Sequence, residues 1–410
     1  MGRTRKVSVV DLERLDFPTG FIWGVATAAH QIEGANFNND WWAWEHNPDS
    51  GVAEPSGDAC DSFHRWREDI DLVASFNLGA YRFSVEWSRI EPEEGEFSLA
   101  ALEHYRRMCA ACLGRGLQPV VTFHHFTLPN WLSNRGGWEA ADAPGCFARF
   151  VTRCANYFGD LIAVACTINE PNVIGVMGYN VGTFPPGIKG DLSRHLGVNK
   201  ALIHAHHLAA DALRSSPGKF PIGLTLSMAE MVNDTPDDAD AEMIRTGAQE
   251  ILEDEFLRAA KDDDFLGVQC YTRMHFGPLG QVSDDPSVPK TQMGYENWPR
   301  ALEYAVRRAA NASGISIIVT ENGIATENDS ERVIYLSEAL RGLYNCIEDG
   351  IDVKGYFVWS LLDNFEWNEG YRPKFGLCSL DRRTFERRPK PSSLWLSQVA
   401  NANSLLRSRP

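Results

Sequence analysis

Long apolar runs are absent from this sequence of 410 residues. No run approaches the roughly 18 apolar residues that a membrane-spanning helix needs. The basic start MGRTRKVSVV is similar to the beginning of a signal peptide, but its apolar part consists only of Val7, Val9 and Val10. A signal peptide needs about 7–15 apolar residues there. We therefore expect a cytoplasmic protein in which residues 1–16 form a short N-terminal extension and residues 17–410 form one domain.

An excess of basic residues is missing as well. The chain has 39 Lys and Arg against 55 Asp and Glu, which gives a formal net charge of −16. Nucleic acids and anionic membranes are bound largely through Lys and Arg, so this balance argues against both partners. A neutral small-molecule substrate meets no such objection. A content of 44% apolar and 23% charged residues excludes a disordered or fibrous chain.

Patterns typical of disulfides and metal sites are also lacking. The nine cysteines are an odd number, which does not suit a disulfide framework. Cys109 and Cys112 form one C-x-x-C pair, but a zinc site needs a second pair of this kind, and the sequence has none. His204, His206 and His207 have no acidic or cysteine ligand in register with them. We expect no metal and no cofactor, and we interpret both groups as packed helix residues.

Glycine-rich phosphate loops of the type G-x-G-x-x-G or G-x-x-x-x-G-K-[ST] are missing too, which argues against a doubly wound open sheet. Instead, short apolar runs rich in β-branched residues alternate with longer helical stretches, as expected for parallel strands buried on both faces. There are eight such runs, at Phe21–Thr27, Gly79–Val85, Gln118–His125, Ala163–Asn169, Pro221–Ser227, Phe265–Tyr271, Ile315–Glu321 and Gly355–Ser360. Eight strand–helix units predict a single closed (β/α)8, or TIM, barrel of the α/β class.

Polar side chains gather where these runs end. In a (β/α)8 barrel the C-terminal ends of the strands form the active site. The ends carry carboxylates, amides, imidazoles, an arginine, a tyrosine and indoles: Gln31, Glu33, Arg82, Glu86, His124, His125, Asn169, Glu170, Gln269, Tyr271, Glu321, Asn322, Trp359, Asp363, Asn364, Glu366 and Trp367. Amides and carboxylates bind hydroxyl groups, and an indole packs against the apolar face of a sugar ring, so this set suits a neutral polyhydroxylated ring.

Two carboxylates, Glu170 and Glu321, end the fourth and seventh runs, which lie across the mouth of the predicted barrel. Such a pair can cleave a glycosidic bond. One carboxyl group protonates the leaving oxygen, and the other attacks the anomeric carbon or activates a water molecule. The spacing in the sequence gives no distance between them, so the residues alone leave both forms of attack open.

Five segments, in order, resemble signature motifs of family 1 of the glycoside hydrolases, the β-glucosidase and β-galactosidase family. They are FIWGVATAAHQIEG, YRFSVEWSRIEP, ACTINEPNV, IIVTENG and GYFVWSLLDNFEWNEGY. The resemblance extends from about Phe17 to about Leu380 and implies the barrel fold inferred above. It also implies a glycosidase that needs no cofactor.

The resemblance implies that Glu321 is the nucleophile and Glu170 the general acid and base of a double displacement that retains the anomeric configuration. The family's geometry implies carboxyl groups about 5–5.5 Å apart, too close for an inverting water molecule. We expect Arg82 to lie near Glu321, keep it ionised and lower its pKa, and Tyr271 to orient it by a hydrogen bond. Its own site and the charge of Glu321 should raise the pKa of Glu170.

By the same resemblance, the sugar is held by hydrogen-bonding residues and by a stacking floor, Trp359. The hydrogen-bonding residues are Gln31, His125, Asn169, Glu366 and Trp367. Glu366 would repel a 6-phosphate, so we expect a non-phosphorylated glycoside, and glutamate at position 170 disfavours the thioglucosidase branch. Phe126 and Gln269 depart from the family pattern, which has Trp and Asn there. The missing indole leaves the choice among glucose, galactose and fucose open.

The sequence thus predicts a retaining exo-β-glycosidase acting on terminal, non-phosphorylated β-linked sugars. A β-glucosidase is the first expectation, with β-galactosidase or β-fucosidase activity beside it. Small β-glycosides or short oligosaccharides are the expected partners, with no nucleic acid and no membrane, and an oligomer is left open. A transglycosidase that uses the same intermediate and a non-catalytic sugar-binding protein are the alternatives.

Overall fold

The computed structural model describes residues 12–408 and contains a closed barrel of eight parallel strands. The barrel strands are Ile22–Ala26, Ala80–Ser84, Gln118–His124, Val164–Asn169, Ile222–Asn233, Phe265–Gly277, Ile317–Asn322 and Val353–Trp359. Each strand pairs in parallel with its neighbours in sequence. The eighth strand pairs with the first, Tyr356 opposite Trp23, and this closes the barrel. The predicted (β/α)8 fold is confirmed.

Helices separate the barrel strands and surround them. The α-helices are Ala29–Ile32, Asp40–Glu45, Ser62–Ser75, Trp87–Ile90, Leu99–Leu113, Asn130–Ser133, Ala143–Phe158, Pro171–Val176, Leu192–Arg214, Ala239–Gln249, Glu255–Ala259, Ala301–Ser313, Asp329–Glu348 and Pro391–Ala402. Shorter 3₁₀ turns are Gly137–Glu139, Gly159–Leu161, Ala260–Asp262 and Trp367–Glu369, and π-helical turns are Met177–Val181 and Glu250–Asp254. Within residues 12–408, none of the helices combines the length with the hydropathy that a membrane span requires.

The fifth and sixth barrel strands run further than the apolar runs predict. The sequence indicates a solvated loop and helix face from residue 229, but residues 229–233 continue the fifth strand. Glu230 pairs with Arg273 and Asn233 with Phe276, so the two strands form an arm beyond the barrel. Cross-strand pairing of polar residues stabilises this arm, and an apolar pattern does not reveal it.

Apolar side chains fill the interior of the barrel towards the N-terminal ends of the strands. The cluster consists of Ala80, Val120, Val164, Cys166, Phe265, Ile318 and Phe357, with Ile22 packed against it. Gly24 makes room for it, since a Cβ atom there would lie 2.3 Å from the Phe357 ring. This packing closes one end of the barrel and leaves the C-terminal ends of the strands for the polar residues.

The two ends of the described chain lie side by side. Leu12–Asp16 pairs antiparallel with Ser404–Ser408, and a second antiparallel pair joins Cys378–Leu380 to Arg387–Pro389. Of the predicted extension 1–16, the first eleven residues lie outside the described residues.

The two cysteines are packed helix residues, as interpreted, but of the three histidines only His206 is buried, while His204 and His207 are exposed on the helix. Cys109 and Cys112 are buried thiols in helix Leu99–Leu113. His206 lies in helix Leu192–Arg214, is buried, and its Nδ1 lies 2.8 Å from the Thr167 hydroxyl. Its Nε2 lies 3.3 Å from Asp263, so its partners belong to the protein.

Candidate active site

A cavity of about 400 Å³ opens at the C-terminal ends of the barrel strands and contains most of the predicted site residues. Those that line it are Gln31, His125, Glu170, Tyr271, Glu321, Trp359, Glu366 and Trp367. Arg82 and Asn169 lie behind these residues, fully buried, and hydrogen-bond to them. These residues come from seven of the eight strands or from the segments that directly follow them, and they converge on one space.

Glu321, in the seventh strand, is held by two donors. Arg82, in the second strand, donates from Nη1 to Oε1 of Glu321. The Tyr271 hydroxyl donates to Oε2 at 2.7 Å. Burial raises the pKa of Glu321, whereas Arg82 and Tyr271 lower it. Burial prevails, so the expectation of a lowered pKa is wrong in its net direction, although Arg82 acts with the expected sign.

Glu170 faces the same cavity in different surroundings. It follows the fourth strand directly and precedes helix Pro171–Val176 with a φ of 44°, a left-handed conformation that costs a non-glycine residue about 1–3 kcal/mol. Burial and the charge of Glu321 raise the pKa of Glu170 to about 8, against a smaller lowering by a hydrogen bond from Ser227. Within residues 12–408, no Lys or Arg forms an ion pair with it. Glu170 is therefore protonated at neutral pH.

A buried hydrogen-bond network connects Arg82 with the floor of the cavity. Its Nη2 donates to Oδ1 of Asn169 at 2.6 Å, and Gln269 Nε2 donates to the same oxygen at 2.9 Å. Asn169 Nδ2 lies 3.3 Å from His125 Nε2. With Oδ1 occupied, the Asn169 side chain is fixed so that its amide nitrogen faces His125 and the cavity.

Glu366 and Gln31 form the other polar corner. Gln31 Nε2 donates to Glu366 Oε2 at 3.3 Å and to the Phe365 carbonyl at 2.7 Å. Burial raises the pKa of Glu366 to about 8, and the charge of Glu321 adds to this. The Gln31 Oε1 atom is buried with no hydrogen-bond partner within the described chain. This corner offers a free acceptor and a carboxyl group to a hydroxylated ligand.

Aromatic rings complete the sugar-sized part of the cavity. The His125 ring is stacked on Trp359 (centroids 6.0 Å apart, interplanar angle 18°) and lies near Trp367 at 6.2 Å and 13°. Phe126, which stands where the family has Trp, contacts the Trp367 ring at 5.1 Å and lines the cavity. The position is thus filled by a ring without a hydrogen-bond donor.

Several strand-end residues lie outside the cavity lining. Glu33 accepts hydrogen bonds from Arg89 at 2.7 Å and from Tyr105 at 2.8 Å, so it forms part of a buried ion pair. Asp363 is paired with Lys390 at 2.8 Å. These contacts give Glu33 and Asp363 structural roles.

The other side of the cavity is mainly apolar and consists of residues that the sequence pattern does not indicate. Val173, Met177, Phe184, Met293 and Tyr295 line it. Val173 and Met177 lie three and seven residues after Glu170, on one face of the helical segment that Glu170 begins. The spacing from Glu170 is therefore a sequence signal for Val173 and Met177. Phe184, Met293 and Tyr295 come from loops and have no such signal.

One group of possible metal ligands occurs within residues 12–408, and it is not part of the cavity. It consists of Glu94, Asp142 and Cys146. Arg135 contacts both carboxylates, and Arg149 lies 3.8 Å from Glu94. Because arginines already neutralise these acids, the group does not suit a cation.

Comparisons with known proteins agree with one another. A family model described as "Glycosyl hydrolase family 1" matches residues 13–265 and 268–405. β-Glucosidase A of Thermotoga maritima is 32% identical, over 95% of this chain and 98% of its own. A solved structure of a β-glycosidase named BGL167 is 42% identical, with a TM-score of 0.88 over 96% of this chain and 99% of that one. A structure of β-glucosidase from Thermotoga maritima in complex with glucoimidazole is 29% identical, with a TM-score of 0.88 over 95% of this chain and 100% of that one.

Proposed function

Because the chain belongs to glycosyl hydrolase family 1, we propose that it is a retaining exo-β-glucosidase. It removes terminal, non-phosphorylated β-linked glucose by a double displacement in which Glu321 is the nucleophile and Glu170 the acid and base. One observation carries this assignment. Glu170 and Glu321 share a cavity, and among the carboxyl groups that line it in the described chain Glu321 is the one contacted by both a cation and a phenol.

In the first step, ionised Glu321 attacks the anomeric carbon while Glu170 transfers its proton to the departing oxygen. A general acid must hold its proton near neutral pH, and a pKa of about 8 meets this requirement for Glu170. Arg82 and Tyr271 stabilise the negative charge that Glu321 needs for attack. Formation of the glycosyl ester removes that charge.

In the second step, Glu170 acts as a base. With Glu321 esterified, its charge no longer raises the pKa of Glu170, so the carboxylate that remains after proton transfer is stabilised. It takes a proton from a water molecule while the water oxygen bonds to the anomeric carbon, and the bond between that carbon and Glu321 breaks, which releases the sugar and the Glu321 carboxylate. An alcohol in place of water would give transglycosylation from the same intermediate.

Polar groups on one side of the cavity support a glucosyl ligand. Gln31 and Glu366 offer an acceptor and a carboxyl group, His125 and Asn169 lie next to one another, and Trp359 provides an aromatic face. A contact from Asn169 to the 2-hydroxyl group would strengthen as the ring approaches the oxocarbenium-like transition state. The relatives' names support glucose as the sugar.

The charge of the cavity supports a substrate without phosphate. Among the residues that line it in the described chain there is no Lys or Arg, whereas four glutamates (Glu170, Glu321, Glu366 and Glu369) contribute carboxyl groups. A 6-phosphate would meet these groups without a compensating cation.

The apolar side supports an aryl or alkyl leaving group. Glu170 must reach the leaving oxygen, so the leaving group lies on the side of Glu170, where Val173 and Met177 line the cavity. Phe184 closes this side and packs on Phe126 at 5.6 Å. Burying a ring there is favourable by about 25 cal/mol per Å² of apolar surface.

Trapping of the intermediate tests the proposal. A 2-deoxy-2-fluoro-β-glucosyl fluoride should inactivate the enzyme with a 1:1 stoichiometry, and peptide mapping should find the sugar on Glu321. Excess glucose should slow this labelling, because both ligands need the same site. Labelling of any other residue, or turnover with inversion of the anomeric configuration, would refute the assignment.

A further inference from the structure

A second and larger cavity, about 640 Å³, lies between helices Ser62–Ser75 and Leu99–Leu113. It shares no lining residue with the catalytic cavity. Glycosidic bond cleavage as derived above makes no use of it.

The walls of this cavity are mainly aromatic and aliphatic. The Phe63 ring is stacked on His104 with centroids 4.2 Å apart and an interplanar angle of 15°. Trp66 meets the same imidazole edge-on at 6.0 Å. Pro92 and Ala100 add aliphatic surface. The walls therefore favour a ligand with an apolar body.

Three arginines, Arg67, Arg89 and Arg107, and one carboxylate, Glu103, line this apolar space. Burial and the nearby charges of Arg89, His64, Arg67 and Arg107 lower the pKa of His104 to about 4. The imidazole is therefore neutral at pH 7, and its buried Nε2 has no hydrogen-bond partner in the described chain.

Not all of the arginines are free to meet a ligand. Arg89 is paired with Glu33 at 2.7 Å, and Arg107 with Glu103 at 2.8 Å. Arg67 has no carboxylate partner within residues 12–408, and its guanidinium lies 4.0 Å from the Trp66 ring centroid. One cation beside an aromatic wall is thus left without a counter-charge.

Apart from His104 Nε2, the hydrogen-bonding groups of Asn36 and Asn38 in the lining are already used by the protein, which leaves few groups for a neutral sugar. Asn36 Nδ2 lies 3.1 Å from His30 Nδ1, and Asn36 Oδ1 accepts from Ser88 at 3.3 Å. Asn38 Nδ2 donates to the Pro92 carbonyl at 2.9 Å. A ligand must therefore be recognised by its apolar surface and its charge.

We propose that this cavity binds a small aromatic anion of the aryl carboxylate or aryl sulfonate class. The anionic group contacts the Arg67 guanidinium, and the ring lies against Trp66 and the aliphatic wall at Ala100. The site is separate from the catalytic cavity, so a sugar at Glu321 does not displace this ligand.

The probe for the test is 8-anilinonaphthalene-1-sulfonate, titrated into the intact protein while its fluorescence is recorded. We expect saturable binding of one equivalent with a blue-shifted emission, unchanged by saturating glucose. Ala100→Trp, an exposed helix position on the cavity wall, should weaken binding by about tenfold or more. Arg67→Gln should weaken it by about three- to tenfold, as expected for loss of one charge-assisted contact.

Matched variants separate this site from general effects of an added indole or a lost charge. Ala110→Trp lies at an exposed position of the same helix outside the cavity, and Arg383→Gln removes an exposed charge elsewhere. Both should bind the probe as the parent protein does. All four variants should hydrolyse 4-nitrophenyl β-glucoside, which shows that they are folded. Displacement of the probe by glucose, absence of saturable binding, or equal affinities of Ala100→Trp, Arg67→Gln and their controls would overturn the proposal.

Discussion

The two sides of the catalytic cavity differ in their composition and in their origin. The sugar side consists of polar residues at strand ends, such as Asn169, Glu321 and Trp359. The leaving-group side consists of apolar residues from a helical segment and loops, such as Met177 and Phe184. The side that performs the chemistry is thus fixed by the barrel, whereas the side that selects the leaving group can vary without changing it.

Removal of the nucleophile on the sugar side should cause the largest loss of activity. Glu321→Ala deletes the group that forms the glycosyl ester, so kcat for 4-nitrophenyl β-glucoside should fall by a factor on the order of 10⁴ or more. The variant leaves the buried Arg82 without its carboxylate partner, so it should be less stable than the parent, but thermal unfolding should still show a cooperative transition. Activity within tenfold of the parent enzyme would refute the role of Glu321.

Removal of the general acid, Glu170, should reduce activity by an amount that depends on the leaving group of the substrate. Glu170→Gly should lower kcat/KM for alkyl glucosides, whose leaving oxygens need a proton, by about 10²–10⁴-fold. The dinitrophenyl glucoside should be affected much less in its first step. Azide should restore turnover and give β-glucosyl azide. The α-anomer as product, or the absence of any rescue, would count against Glu170.

Loss of one hydrogen bond to Glu321 should have an intermediate effect. Tyr271→Phe removes a hydrogen bond of 2.7 Å to a buried carboxylate, which is worth about 1.5–3 kcal/mol, and should lower kcat about 10- to 100-fold. Without this donor the pKa of Glu321 rises, so the acidic limb of the pH profile should move to higher pH. Tyr304→Phe, which removes a hydroxyl that accepts a hydrogen bond from Gln249 outside the cavity, is the matched control and should change neither kcat nor the acidic limb. An unmoved acidic limb in Tyr271→Phe would contradict the role given to Tyr271.

The smallest effect is expected on the leaving-group side. Val173→Thr keeps the shape of the side chain but places a hydroxyl group on the apolar wall. It should raise KM for octyl and aryl β-glucosides about two- to fivefold. The KM for methyl β-glucoside should not change, because its leaving group is too small to pack against this wall. Val181→Thr, at an exposed position outside the lining, serves as control. Equal changes for methyl and octyl glucosides would show that Val173 does not contact the leaving group.

The difference between the two sides of the cavity also explains which site residues the sequence predicts and which it does not. Continuous apolar runs identify the barrel strands, and the barrel brings their C-terminal ends together, so Glu170 and Glu321 are predicted on one cavity from residues far apart in the chain. Phe184, Met293 and Tyr295 lie in loops without a periodic pattern, and nothing in the sequence indicates where those loops fold back. The sequence also does not predict that the pKa of Glu321 is raised, because this shift depends on how deeply the folded protein buries the carboxylate.

Unequal proton affinities of the two carboxyl groups are the centre of the proposed mechanism, and the alkaline limb of the pH profile measures them most directly. Glu170 must be protonated to act as the general acid. The activity of the enzyme is therefore present below the pKa of Glu170 and is lost as the pH rises through about 8. We predict that kcat/KM for an alkyl β-glucoside falls above this pH, and that Glu170→Gln, assayed with dinitrophenyl β-glucoside, lacks this limb. A limb near pH 8 that persists in Glu170→Gln would assign the titration to another group, such as Glu366, and would contradict the mechanism.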